Sequence, residues 1–209
     1  MDPANCDSLK FGLSSREVEK RFYKIYRNVI SNYFEFSENL ISDAKEILSC
    51  KKERMKFKSD TPSYQLAFLL SFGIQDACTS ARKFYESIEN HTGIIKKFSK
   101  KSPIKLLCVE NESLPAVIGV CQTINEIVKE FGSGGKFDFT EIKILVLDNR
   151  GKWKRLCGYV IDVANSYFTN IELKLDYVED FLSWSFLEFS QRVQDLDLAV
   201  VARFFIEGS

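Results

Sequence analysis

The second half of the chain constrains the fold most, because short apolar runs alternate there with stretches that repeat apolar residues every three or four positions. The apolar runs are Ile104–Val109, 142–147, 171–177 and one within 196–206. Strands that alternate with helical patterns are typical of a parallel sheet with right-handed helical crossovers. The first, second and fourth runs are almost entirely apolar, which predicts that both faces of the sheet are covered.

The first half of the chain carries helical patterns only. Ser14 and Glu17 have the spacing of a capping box in front of apolar residues that recur at three- and four-residue steps. Thr61-Pro62 marks the start of a long helix that we expect to reach about residue 89. Gly73, in its middle, predicts either the close approach of a neighbour or a bend. We therefore expect an N-terminal helical region at 1–101 and an α/β domain at 102–209.

Composition narrows the classes of partner. Lys+Arg and Asp+Glu are both 29, with basic residues in excess before residue 103 and acidic residues in excess after it. The six cysteines form no CxxC pair and His91 is the single histidine, which argues against a metal site. No apolar run reaches the roughly 18 residues of a membrane span. Reduced thiols and the lack of a signal peptide predict an intracellular protein, cytoplasmic or nuclear.

The turn after the first strand has a ligand-binding position and an unusual chemistry. Open α/β sheets bind ligands at the carboxyl ends of their strands, where glycines let the backbone approach the ligand. Here the turn has no glycine and contains Glu110 and Glu112. A carboxylate or phosphate of a ligand about 4 Å from one of these glutamates would be repelled by roughly 4 kcal/mol at an effective dielectric constant near 20. The helix dipole favours acids at this position, so we expect the two glutamates to occupy the anion site themselves.

Two further acids follow predicted strands. Asp148 closes the second strand, where an acid can accept hydrogen bonds from both hydroxyls of a ribose; the alternative is a cap for the turn at 149–151. Asp180 follows the third strand, and its alternative role is the N-cap of a helix that begins at Phe181. The sequence leaves both alternatives open. The glycine-rich stretch 132–135 follows a helix and precedes a strand, which is the wrong context for a phosphate loop.

The order of strand, turn, helix, strand ending in Asp148 and strand followed by Asp180 resembles the Rossmann-like class I methyltransferases, which bind S-adenosylmethionine. The resemblance covers about residues 62–206, and the helix with Phe84-Tyr85-Glu86 is similar to one that lies near the cofactor in some members. It implies a ribose-binding role for Asp148 and a position near the adenine for Asp180. The family places a Gly-x-Gly-x-Gly turn where this chain has 109–114.

The resemblance also shapes the expected fold and function. The fold class is α/β, with a Rossmann-like parallel sheet of about four strands after the helical region. Because the family's sheet has seven strands, 102–209 is expected to be a methyltransferase-like domain that is either incomplete at its carboxyl end or built on a short sheet with an exposed edge strand. We expect a non-catalytic interaction or scaffold module with a protein partner, no membrane or metal partner and no cofactor.

Two alternatives remain from the sequence. One is an active methyltransferase with a divergent loop, which would bind S-adenosylmethionine through Asp148 and Asp180 under a lid of N-terminal helices. The other is a nucleic-acid-binding module that uses the basic helical half and its connector at 51–58.

Overall fold

A computed structural model describes residues 15–49, 61–90, 103–110, 114–132, 141–148, 152–179 and 185–200. The helical region begins with α1 (Ser15–Tyr33) and α2 (Glu38–Ser49). It continues with α3 (Pro62–Phe68), a π-helical turn (Leu69–Gly73) and α4 (Ile74–Asn90), which follow one another without a break. None of the helices in these ranges combines the length and hydropathy needed to cross a membrane.

The remainder alternates strands and helices as the sequence predicts. The elements are β1 (Ile104–Val109), α5 (Leu114–Gly132), β2 (Glu141–Asp148), α6 (Lys154–Asn165), β3 (Glu172–Glu179), α7 (Phe186–Val193) and β4 (Leu198–Val200). The four strands are all parallel and lie in the order β3-β2-β1-β4. This confirms an α/β fold with a parallel sheet of four strands after a helical region. The order is compatible with a Rossmann-like fold, whose doubly wound sheet runs 3-2-1-4 through its first four strands.

The two faces of the sheet are covered unequally. On one face the alternate residues of β1 and β2, such as Leu106 and Ile144, are fully buried in a core shared with the helices. On the other face Leu107, Leu145 and Leu147 pack with Phe189 of α7. Towards the amino ends of the strands this second face carries lysines, of which Lys143 and Lys174 are exposed. The predicted cover on both faces therefore applies to the carboxyl halves of the strands, since α7 has only 8 residues.

One helix begins where the sequence predicts, and another begins later than predicted. Thr61 is the N-cap of α3 and its hydroxyl accepts a hydrogen bond from the Tyr64 N–H at 3.3 Å, as predicted. The helix that we expected from Phe181 begins instead at Phe186, with Ser185 as its N-cap. Ser185 and Glu188 form a reciprocal capping box, a signature that is visible in the sequence. Ser14 and Asp180 both lie outside the described residues.

Two glycines allow helices to approach closely. A Cβ on Gly73, at the end of the π-helical turn, would lie 3.3 Å from the Tyr26 ring of α1. A Cβ on Gly119 of α5 would lie 2.1 Å from the carbonyl oxygen of Ala77 on α4. The backbones of α4 and α5 therefore touch at Gly119. This contact joins the helical region and the sheet into one continuous core.

We expect Gly119→Ala to lower the free energy of unfolding by about 1–3 kcal/mol, because the new methyl group meets backbone and α4 would have to move away from α5. Urea denaturation measures the change. The matched control is Gly158→Ala in α6, where nothing lies within 4 Å of the added Cβ. That variant should gain about 0.5–1 kcal/mol from helix propensity. Equal midpoints for the two variants would contradict the close packing.

Candidate functional site

The carboxyl ends of β1, β2 and β3 form the candidate site. From β1 the chain proceeds outward to β2 and β3, and then returns to β4 on the other side of β1. Such a reversal is the topological switch point, beside which open α/β sheets bind their ligands. The residues that end these strands therefore decide what the sheet can bind.

Glu110, the first residue after β1, has a left-handed backbone conformation with φ of 63°. Its N–H donates a hydrogen bond to the Leu147 carbonyl oxygen at 2.9 Å, which continues the pairing of β1 with β2. The Cys108 thiol donates to the Glu110 carbonyl oxygen at 3.4 Å. A left-handed conformation costs a residue with a Cβ about 1–2 kcal/mol. The turn thus has a backbone suited to glycine at a position occupied by a glutamate. Glu112 lies outside the described residues.

Asp148, the last residue of β2, is completely buried at 0% exposure. Its carboxylate accepts a hydrogen bond from the Tyr177 hydroxyl of β3. Tyr177 pairs with Val146 across the strands, so Tyr177 and Asp148 point to the same face of the sheet. A buried carboxylate is costly unless it is hydrogen-bonded, and Tyr177 supplies such a bond. In this arrangement Asp148 offers no exposed surface to a ligand.

Tyr177 remains a hydrogen-bond donor because its hydroxyl resists ionisation. Burial raises the pKa of Tyr177 well above its ordinary value, and the hydrogen bond to Asp148 raises it further. The sequence analysis missed this residue. The sequence feature that could have identified it is a tyrosine at one of the alternate strand positions that face the core. A phenol at such a position needs a polar partner.

Acidic residues end or follow three of the strands at this edge. Glu110 follows β1, Asp148 ends β2 and Glu179 ends β3. Lys154, at the start of α6, forms an ion pair with Glu179 at 3.4 Å, and both side chains are substantially exposed. Such a surface pair contributes little to stability. Across the described residues, no group of three or more His, Cys, Asp and Glu side chains is arranged to hold a metal ion.

Helix α3 is packed against the segment that follows Asp148. The buried Gln65 side chain donates a hydrogen bond to the Lys152 carbonyl oxygen at 3.2 Å. The buried Trp153 makes edge-to-face contacts with Tyr64 and Phe68, at ring-centroid distances of 6.4 and 5.7 Å. The cavity beside Trp153 has a volume of only about 10 Å³, which is at most the space of one water molecule. The helical region thus closes tightly over the start of α6.

Comparison with protein-family models, with curated proteins and with solved structures found no match for this chain. Family membership is therefore not shown, and the geometry of the strand ends carries the functional argument.

We expect Glu110→Gly to leave the free energy of unfolding unchanged or to raise it by about 0.5 kcal/mol. Removing the Cβ relieves the strain of the left-handed backbone, and this gain offsets the larger conformational entropy of glycine in the unfolded chain. The matched control is Asp176→Gly, an exposed position in the extended backbone of β3. The control should lose about 0.5–1 kcal/mol. Urea denaturation compares the two, and a larger loss at Glu110 than at Asp176 would contradict the left-handed turn.

Removing the Tyr177 hydroxyl tests its bond to Asp148. Tyr177→Phe should lower the free energy of unfolding at pH 7 by about 1.5–3 kcal/mol, because a buried carboxylate loses a donor. The exposed Tyr23→Phe should change it by less than about 0.5 kcal/mol. The pKa of Tyr177 is raised in the folded state, so its stabilisation is complete below its ordinary value of 10.0 and is lost as the pH rises through the folded-state value.

The difference in the free energy of unfolding between the unmodified protein and Tyr177→Phe should therefore shrink by up to about 1.4 kcal/mol per pH unit above pH 10. Denaturant titrations between pH 8 and pH 11 measure this narrowing. A difference that stays constant with pH would show that folding does not raise the pKa of Tyr177.

Proposed function

We propose that this chain contains a methyltransferase-like α/β domain that does not bind S-adenosylmethionine and serves as an interaction or scaffold module for a protein partner. The single observation that carries the proposal is the completely buried Asp148 carboxylate, bonded by Tyr177 at the end of β2. The resemblance assigns ribose recognition to this acid. A ribose can reach it only if Asp148 leaves Tyr177 and becomes exposed, and this cost opposes binding.

The turn after β1 supports the same proposal. Glu110 takes the backbone conformation that suits glycine and adds a carboxylate at the switch point. A second like charge, such as the carboxylate of S-adenosylmethionine, would meet about 4 kcal/mol of repulsion at 4 Å. That penalty corresponds to about three powers of ten in affinity. The described residues therefore fit an ordinary site for this cofactor poorly.

The described residues of the helical region, 15–49 and 61–90, carry 8 basic and 9 acidic side chains, so they offer no excess of positive charge to nucleic acid. Arg21 of α1 is bonded to Glu126 of α5, and Arg82 lies 3.9 Å from Glu86 on α4. An arginine that is paired with an acid of the same chain is less available to neutralise phosphates, the step that releases counterions from nucleic acid. The basic connector at 51–58 lies outside the described residues.

Isothermal titration with S-adenosylmethionine and with S-adenosylhomocysteine tests the proposal. We expect no heat of binding for either compound at concentrations up to about 1 mM, because exposure of Asp148 and repulsion by Glu110 both oppose binding. Binding in the low micromolar range would overturn the proposal.

An active methyltransferase with a divergent loop is the second candidate, and the strand order with an acid at the end of β2 favours it. In that case Asp148→Asn should reduce cofactor affinity at least tenfold, since an NH2 donor replaces one of the two carboxylate oxygens that would accept from the ribose hydroxyls. The matched control is the exposed Asp162→Asn of α6, which should bind like the unmodified protein. If the protein binds the cofactor and Asp148→Asn binds it equally well, this candidate fails.

A further inference from the structure

The strand β3 lies at one edge of the sheet, since among the described residues it pairs with β2 alone. On the side away from β2, the Asn165 side chain bonds both backbone groups of Leu173. Its Nδ2 donates to the Leu173 carbonyl oxygen at 3.0 Å, and its Oδ1 accepts from the Leu173 N–H at 2.8 Å. The direction of the backbone groups repeats every two residues along a strand, so those of Leu175 and Tyr177 also point away from β2.

Leu175 and Tyr177 carry unpaired backbone groups at this edge. Within the described parts of the chain, their outward N–H and carbonyl groups form no hydrogen bond. Asn165 therefore closes the edge at Leu173 and leaves it open at the next two outward-facing residues. An open strand edge is a template for a further strand, and extended peptides bind proteins by adding to such an edge.

Helix α6 runs beside the open edge. Lys154, at its start, forms the ion pair with Glu179 at the end of β3, and Asn165, at its end, bonds Leu173 near the start of β3. The helix and the strand therefore lie side by side in opposite directions. Together they form the two walls of a groove whose ends are held by these two contacts.

Two residues of α6 lie between those contacts. Gly158 and Asp162 follow Lys154 at steps of four residues and share its face of the helix. Gly158 is about 6 Å from Lys154 along the helix, and Tyr177 is about 7 Å from Glu179 along the strand, which places them at a similar level. No atom lies within 4 Å of a Cβ added to Gly158, so this part of the helix wall leaves open space.

The unpaired charges beside the edge are acidic. Asp162 is exposed on α6, which packs on the core face of the sheet, and Asp176 is exposed on the other face of β3. Neither forms an ion pair within the ranges that the structure describes, whereas Lys174 is paired with Glu141. Successive side chains of an added strand point to opposite faces. Basic residues at two neighbouring positions of that strand would therefore meet Asp162 and Asp176.

We propose that the open edge of β3 binds an extended peptide segment of a partner protein, which adds a fifth strand beside α6 and carries basic side chains at two neighbouring positions. The peptide backbone bonds the outward N–H and carbonyl groups of Leu175 and Tyr177. This inference rests on the proposed function as an interaction module, and it adds the surface and the class of partner. The titrations with S-adenosylmethionine do not involve this edge, so a failure of the one proposal is distinguishable from a failure of the other.

The experiment uses the full chain and a fluorescein-labelled probe peptide with blocked ends, Thr-Val-Thr-Lys-Arg-Thr-Val-Thr. Fluorescence anisotropy should show saturable binding of one peptide per chain. One control peptide has methyl groups on its four central backbone nitrogens, which removes the donors of strand pairing. Another has two glutamates in place of Lys-Arg. Each control should bind at least tenfold more weakly than the probe.

Hydrogen exchange locates the peptide on the backbone without any substitution. The N–H groups of Leu175 and Tyr177 should exchange rapidly in the chain alone and at least tenfold more slowly when the probe peptide is saturating. The N–H groups of Lys174 and Asp176 point towards β2 and are the internal control, since they should be protected in both states.

Variants test the helix wall and the charges. Gly158→Tyr fills the open space and should weaken binding of the probe at least tenfold, whereas Ser31→Tyr, at an exposed position of α1, should bind like the unmodified chain. The double variant Asp162→Asn, Asp176→Asn should weaken binding about fivefold, the effect of two exposed ion pairs. Thermal unfolding checks that each variant is folded.

The proposal is overturned if the probe does not bind, if the N-methylated peptide binds as well as the probe, or if Gly158→Tyr folds and binds like the unmodified chain. Protection of Leu175 and Tyr177 in the chain alone would also overturn it, because another segment of the chain or a second copy would then occupy the edge. Slower exchange of these two N–H groups on addition of the probe supports it.

Discussion

The hydrogen bond from Tyr177 to the buried Asp148 carboxylate is the interaction on which the account of the strand ends depends. It ties the carboxyl ends of β2 and β3 together on the face of the sheet that packs against the helices. An acid in this position could serve a ligand only if it faced solvent or an open site. Because burial keeps the Tyr177 hydroxyl protonated, the donor is present at physiological pH. The carboxylate at the end of β2 is therefore buried and bonded within the protein.

The helical region reinforces this closure. Gly119 brings α5 against the backbone of α4, so that the region preceding the sheet forms part of its core. Gln65 and the aromatic contacts of Trp153 then fix α3 to the segment that leads from β2 into α6. These contacts combine a hydrogen bond from a buried side chain with buried aromatic packing, whereas segments that open readily have few buried contacts. A cleft of about 580 Å³ lies between α1, the π-helical turn, α4 and α5.

The sequence was sufficient for the fold, and insufficient for the site, for identifiable physical reasons. The bounds of β1 were predicted to the residue, because a continuous apolar run between polar turns has few alternatives. The start of α7 was predicted too early, because Asp180 and Ser185 are both possible N-caps and only the second has Glu188 at the capping-box spacing. The bond between Tyr177 and Asp148 joins residues that are 29 positions apart, and the local pattern of residues does not encode it. The roles of Glu112 and Asp180 stay predictions, since both lie outside the described residues.

A crystal structure of the protein grown with millimolar S-adenosylhomocysteine tests the central claim most directly. The account predicts that Asp148 remains buried and bonded to the Tyr177 hydroxyl, with no adenosine at the carboxyl ends of β1 and β2. The opposite result would be a ribose whose hydroxyls bond to Asp148, with the Tyr177 hydroxyl displaced. That result would show that the strand ends open for the cofactor and would contradict the claim that this edge is closed.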